Sequence, residues 1–153
     1  MDWKTLFKSQ NGNNLSFFDP ITEQELSDIK HNTGIEISGD LLELLKQTNG
    51  IMENIIVDKK CINSGFIVFN SDEIIKTYKI HLSFLKEAEL IPPHQFLFFS
   101  DNGCGEGFCF ITENGKIISK EISIYYPIEN KFFIVAPDLM TWITDWYSGK
   151  IYA

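Results

Sequence analysis

Arginine is missing from the 153-residue chain; all 13 of its cations are lysines. Arginine is the usual bidentate reader of phosphates and base edges, so its absence argues against nucleic-acid recognition. The charge balance points the same way. Twenty-one acidic residues leave a formal charge of −8 and a pI near 4.8, whereas nucleic acids and anionic membranes both call for clustered cations. Cysteine is scarce and odd in number. Cys61, Cys104 and Cys109 lack the close pairing of a zinc site, which indicates a reduced compartment and three small buried hydrophobes. No stretch approaches the roughly 18 apolar residues that a membrane span needs. Asp2 and Lys4 leave no signal core at the start of the chain, so a cytoplasmic protein is expected.

What remains has ordinary globular composition, 44% hydrophobic and 22% charged, with an unusual 13 phenylalanines. One domain spanning residues 1–153 is expected. Trp3, Leu6 and Phe7 recur at helical spacing over Met1 to Ser9. Gln10 to Asn14, with Asn11-Gly12, reads as a loop. Asp19 to Gly34 carries a helix signature: Thr22 and Glu25 form an S/T-x-x-E capping box, Ile21 and Leu26 form a hydrophobic staple, and Gly34 is the stop. After the extended link Ile35-Glu36-Ile37, a second helix runs from Gly39 to Thr48. Ser38 or Gly39 would cap it, Leu41, Leu42, Leu44 and Leu45 would bury it, and Asn49-Gly50 would end it.

Ile55 to Val57 and Phe66 to Phe69 are strand-like, with a polar break from Asp58 to Gly65 between them. Asn70 and Glu73 suggest a second capping box, opening a helix that reaches about Glu89 with Ile74, Ile75, Tyr78, Leu82 and Leu85 inward. Pro92-Pro93 forbids its continuation. Phe96 to Phe99 and Phe108 to Ile111 then flank a glycine-dense turn, and Asn114-Gly115 is a hairpin signal leading into a strand from Lys116 to Ile122. Ile124 to Tyr126 and Phe132 to Val135 are further strand candidates. Pro137 stands where a first-turn proline would, opening a last helix with Leu139, Trp142, Ile143 and Trp146 inward and Gly149 as the stop. Helices, then a mostly antiparallel sheet, then a closing helix make an α+β fold with helices on one face of a curved sheet.

No catalytic constellation stands out. Asp101 to Glu106 has glycines where a calcium loop needs oxygen ligands. Gly103, Gly105 and Gly107 lack the Lys-Ser/Thr tail of a phosphate loop. His31, His81 and His94 offer no specific pairing with a cysteine; His81 and His94 read as surface or capping residues. Asp101, Glu106 and Glu113 read as a solvated rim. Trp142 and Trp146 read as core. No cofactor and no metal are expected.

The order of segments resembles the SUKH superfamily of Smi/Knr-like domains over roughly Ile21 to Gly149. The parts that carry the resemblance are ITEQELSDIKHNTG, LLELLKQTNGI, GFIVFNSDEI, FLFFSDNGCGEGFCF and FFIVAPDLMTWITDWYSG. The chain departs from the usual pattern at Ser38-Gly39, where family members commonly have a proline, and at Gly105-Glu106, commonly Gly-Asp. The resemblance implies an α+β fold with a mostly antiparallel sheet flanked by helices. It also implies a non-enzymatic, intracellular immunity protein that neutralises the toxic C-terminal domain of a cognate polymorphic toxin, often a nuclease. Lysine-for-arginine usage and Ile/Asn richness look like a low-GC Gram-positive source, in which such proteins partner LXG-type toxins. An acidic inhibitor suits a basic nuclease face. The residues expected to meet the partner are Asp101, Glu106, Glu113 and Glu121, with the chain itself a monomer or weak homodimer. The alternative is a regulatory or scaffold adaptor for a housekeeping protein; a small hydrolase would need a deep pocket with converging polar groups.

Overall fold

The computed structural model describes residues 1–11 and 14–151. Of the expected polar loop, Gly12 and Asn13 therefore lie outside the described residues. The elements in order are α1 (Trp3–Asn11), β1 (Leu15–Phe17), α2 (Glu23–Thr33), α3 (Gly39–Gln47), β2 (Ile51–Val57), β3 (Lys60–Val68), α4 (Ser71–Glu87), β4 (Gln95–Asp101), β5 (Gly107–Glu113), β6 (Lys116–Ile117), β7 (Ile122–Tyr126), β8 (Lys131–Ala136) and α5 (Leu139–Tyr147). Among the described residues no helix is long and apolar enough to cross a membrane.

Local chemistry explains the helix boundaries. Thr22 Oγ1 accepts from the Glu25 amide at 3.1 Å while the Glu25 carboxylate accepts from the Thr22 amide at 3.0 Å, closing the capping box. Gly34 ends α2 in the left-handed region at φ 71°. Ser38 precedes α3 without a side-chain cap bond, and the helix ends on Thr48 in extended geometry. Asn70 caps α4 by accepting from the Glu73 amide at 2.8 Å. Asp138 caps α5, accepting from the Thr141 amide at 2.8 Å. Pro137 therefore lies outside the helix rather than in its first turn, because the carboxylate of Asp138 takes the cap position.

The strands form two antiparallel ladders, β1-β2-β3 and β4-β5-β7-β8, with β6 on β5. They meet where the Phe69 amide donates to the Phe99 carbonyl at 2.7 Å and Ser100 Oγ donates to the Ile67 carbonyl at 2.5 Å. β1 was not signalled by the sequence; its three residues are too few to show a period. The break expected from Asp58 to Gly65 is confined to the turn Asp58-Lys59, both at positive φ, and Lys60 to Gly65 is strand. The largely polar composition of Lys60 to Gly65, KCINSG, hides this strand from hydrophobicity. The strand expected from Lys116 to Ile122 is interrupted: β6 pairs with Thr112 and Glu113, the chain then leaves the ladder, and β7 returns to pair with Gly107 to Cys109.

One apolar cluster joins Trp3 and Phe7 of α1, the leucines of α3, Ile51, Val68, the central strands and α5. Helices cover both faces of the larger sheet, not one. His81 of α4 packs on Phe96, Phe98 and Tyr125. Trp142 of α5 packs on Phe99 and Phe108, which alternate onto the opposite face. Leu82 is 46% exposed rather than inward; the inward stripe of α4 runs through Ile74 and Leu85, both buried, and the half-buried Tyr78 and His81 instead.

Candidate functional site

The loop from Asn102 to Glu106 connects β4 to β5 at the end of the larger sheet. Its shape follows from side chains that replace backbone turns. Asp101 Oδ1 accepts from the Gly103 amide at 2.9 Å, and Asn102 Oδ1 accepts from the amides of Cys104 at 2.8 Å and Glu106 at 3.3 Å. The Asn102 amide donates to the Glu106 carbonyl at 3.2 Å and closes the base. Gly103 and Gly105 stand at positive φ, 76° and 99°. Gly107 serves a different need, since a Cβ there would collide with the Phe98 ring.

A cleft lies on each side of this loop. The first, about 410 Å³, runs between the loop, the base of the β2–β3 hairpin and α5. Three carboxylates line it, Glu53, Glu73 and Asp101, beside the aromatic surface of Phe66, Phe69 and Trp146. Lys76 stands 3.9 Å from Glu73 and counters part of that charge. The second cleft, about 260 Å³, is apolar and runs between the loop and α4; it is lined by Ile80, His81, Phe84, Phe98, Glu106 and Tyr125. Burial lowers the His81 pKa from 6.5 to about 4, so the imidazole is neutral at physiological pH. Burial also pushes the Tyr125 phenol up, with Cys109 contributing; its hydroxyl donates to the Asn130 side-chain oxygen.

The four expected partner-binding carboxylates divide into two pairs. Asp101 is exposed at the end of β4, and Glu106 is half-buried in the loop. Glu106 Oε2 and Asn102 Nδ2 are both buried with no hydrogen-bond partner among the described residues. Glu113 lies at the far end of the seven-residue β5, roughly 20 Å away at strand rise, opposite Lys116. Glu121, exposed just before β7, shares that far end, because β7 runs antiparallel to β5.

Several side chains are placed differently from expectation. Cys109 is buried, its thiol pKa raised by desolvation, but Cys61 and Cys104 are exposed. His81 is a packed aromatic neighbour rather than a surface residue, and its spacing from Ile74, Tyr78 and Leu85 carried that signal. Trp142 is core, whereas Trp146 is partly exposed in the first cleft. Nothing local signalled that Glu53 and Glu73 share a cleft, since they come from separate elements. Among the described residues no group of three or more His, Cys, Asp or Glu is placed to hold a metal ion.

Element order, antiparallel ladders and the flanking helices define the α+β SUKH fold. The model of the SMI1 / KNR4 family (SUKH-1) matches residues 20–145, and the chain belongs to that family. The match begins after α1 and β1. No curated protein sequence matches the chain.

Proposed function

We propose that the chain is an immunity protein, an antitoxin that binds and neutralises the toxic C-terminal domain of a cognate LXG-type polymorphic toxin in the cytoplasm. The observation that carries this reading is family membership over residues 20–145, in a family whose members are typically immunity proteins. The target is a nuclease with a basic active face, and inhibition is occlusion without catalysis by the inhibitor. Charge supports this choice: a protein of net charge −8 is attracted to a basic nuclease and does not compete for its polyanionic substrate.

Contact centres on the Asn102–Glu106 loop and its two clefts. Asp101 supplies an exposed carboxylate there, and the unpartnered oxygen of Glu106 is satisfied by a donor from the toxin. Glu113 and Glu121, at the opposite end of the sheet, contribute only long-range attraction.

Co-expression with the C-terminal domain of the toxin encoded beside it tests the reading. Restored growth and a purified one-to-one complex are expected. Asp101→Lys and Glu106→Lys should each weaken the complex roughly tenfold or more, with Glu113→Lys and Glu121→Lys close to wild type. Failure of both rescue and binding overturns the proposal for that pair.

A further inference from the structure

The outer half of the β2–β3 hairpin stands as a two-stranded arm. Ile55, Ile56, Val57 and Ile62 are 45, 75, 43 and 44% exposed. Register places Ile55 opposite Ile62 and Ile56 opposite Cys61, so strand alternation puts apolar side chains on both faces of the arm. β1 pairs with β2 only as far as Glu53, and β3 from Lys60 to Asn63 pairs with β2 alone among the described strands. A ribbon of two strands is marginal in water, and a free edge without proline or bulge invites another strand. The register shifts of this hairpin fall at Ile51/Met52 and Glu53/Asn54, the second skipping Ser64 of β3, and leave Lys60 to Asn63 regular.

The arm also changes sign along its length. Its tip, Asp58-Lys59-Lys60, carries two lysines against one carboxylate. Its base adjoins the cleft lined by Glu53, Glu73 and Asp101. Two arms laid parallel would oppose like charges. Laid antiparallel about a twofold axis, each lysine tip meets the other copy's acidic base.

We infer that the arm is a homodimerisation element, in which the free edge of β3 pairs antiparallel with the same edge of a second copy. The pairing joins the two small sheets, brings a strand against Ile62, and sets Lys59 and Lys60 beside the carboxylates of the opposite base. The net negative bodies do not prevent it. Four residues of strand hold them roughly 13 Å apart, beyond the Debye length of about 8 Å at physiological salt. The interface is small, so the dimer is weak, with a Kd on the order of 10 to 100 µM.

Sedimentation velocity on the full chain, under reducing conditions because Cys61 and Cys104 are exposed, tests the assignment. A dilution series should show reversible dimers, and Ile62→Asp should leave a folded monomer with unchanged circular dichroism. A charge swap identifies the geometry. Lys59→Glu/Lys60→Glu and Glu53→Lys/Asp101→Lys should each be monomeric alone and form a heterodimer when mixed, because both tip-to-base contacts are then attractive. A wild type that stays monomeric overturns the inference, and so does a dimer indifferent to these changes. Loss of toxin binding in arm variants of a monomeric wild type would assign the arm to the toxin instead, and would overturn it as well.

Discussion

Glu25 does more than cap its own helix. Its Oε2 accepts from Asn49 Nδ2 at 2.9 Å and from Ser71 Oγ at 3.1 Å, which ties the start of α2 to the turn before β2 and to the first turn of α4. The Thr22 amide, chiefly, and then the Thr22, Ser71 and Asn49 side chains hold its carboxyl below the ordinary 4.5. Replacing Glu25 with Ala should cost about 1–3 kcal/mol in urea denaturation, since two cap donors and two cross-element donors lose their acceptor. Because the folded value is depressed, that stabilisation is present above the ordinary carboxylate range and is lost as the pH falls through the depressed value. His81 has the opposite chemistry. Its folded pKa of about 4 lies below 6.5, so between these values the unfolded chain binds a proton that the folded chain excludes. Stability should therefore fall as pH drops from 7 to 5, and His81→Leu should flatten that dependence. Denaturation midpoints of the two proteins at both pH values check this; parallel losses would remove His81 as the cause.

Among the elements, the Asn114-Gly115 turn between β5 and β6 is fixed from outside the hairpin. The Glu36 amide donates to the Gly115 carbonyl at 2.8 Å, and Glu36 bridges to Lys116 in parallel. Gly115 sits at φ 76°, and a Cβ there would strike the carbonyl oxygen of Gly34. Gly115→Ala should destabilise by about 1–3 kcal/mol through backbone strain and collision together. Asn114→Ala, at φ 52°, meets the strain without that contact and should cost less; equal thermal shifts would refute the close-approach argument. The turn was legible in the sequence as Asn-Gly, but its contact with the end of α2 was not, since 81 positions separate Gly34 from Gly115.

For the molecule as a whole, charge of one sign governs encounter more than stability. The 21 carboxylates are mostly unpaired at the surface, and ion pairs such as Lys76–Glu73 and Lys150–Asp145 are long and exposed, contributing little to the fold. On the proposed reading, association with a basic toxin domain should slow roughly tenfold or more from low to high salt, with dissociation changing far less. Stopped-flow rates across an ionic-strength series measure this. A salt-independent association rate would point to an apolar docking surface instead.

The sequence by itself determined the α+β class, both strong helix caps, the apolar strands and the family, because each is written in local period, capping chemistry or segment order. Thr22 and Glu25 needed no tertiary information, and neither did the alternation of Phe96 to Phe99. Tertiary structure alone decided that α4 and α5 take opposite faces of the larger sheet, that Glu53, Glu73 and Asp101 share a cleft, and that Asp101 and Glu106 stand at the other end of the sheet from Glu113 and Glu121. It also decided that Lys60 to Ser64 is strand, since that segment's partner, β2, and not its own polar composition, holds it extended. The physical reason is range. Caps and periods are satisfied within a few residues, whereas clefts, free edges and charge placement arise where separate segments meet.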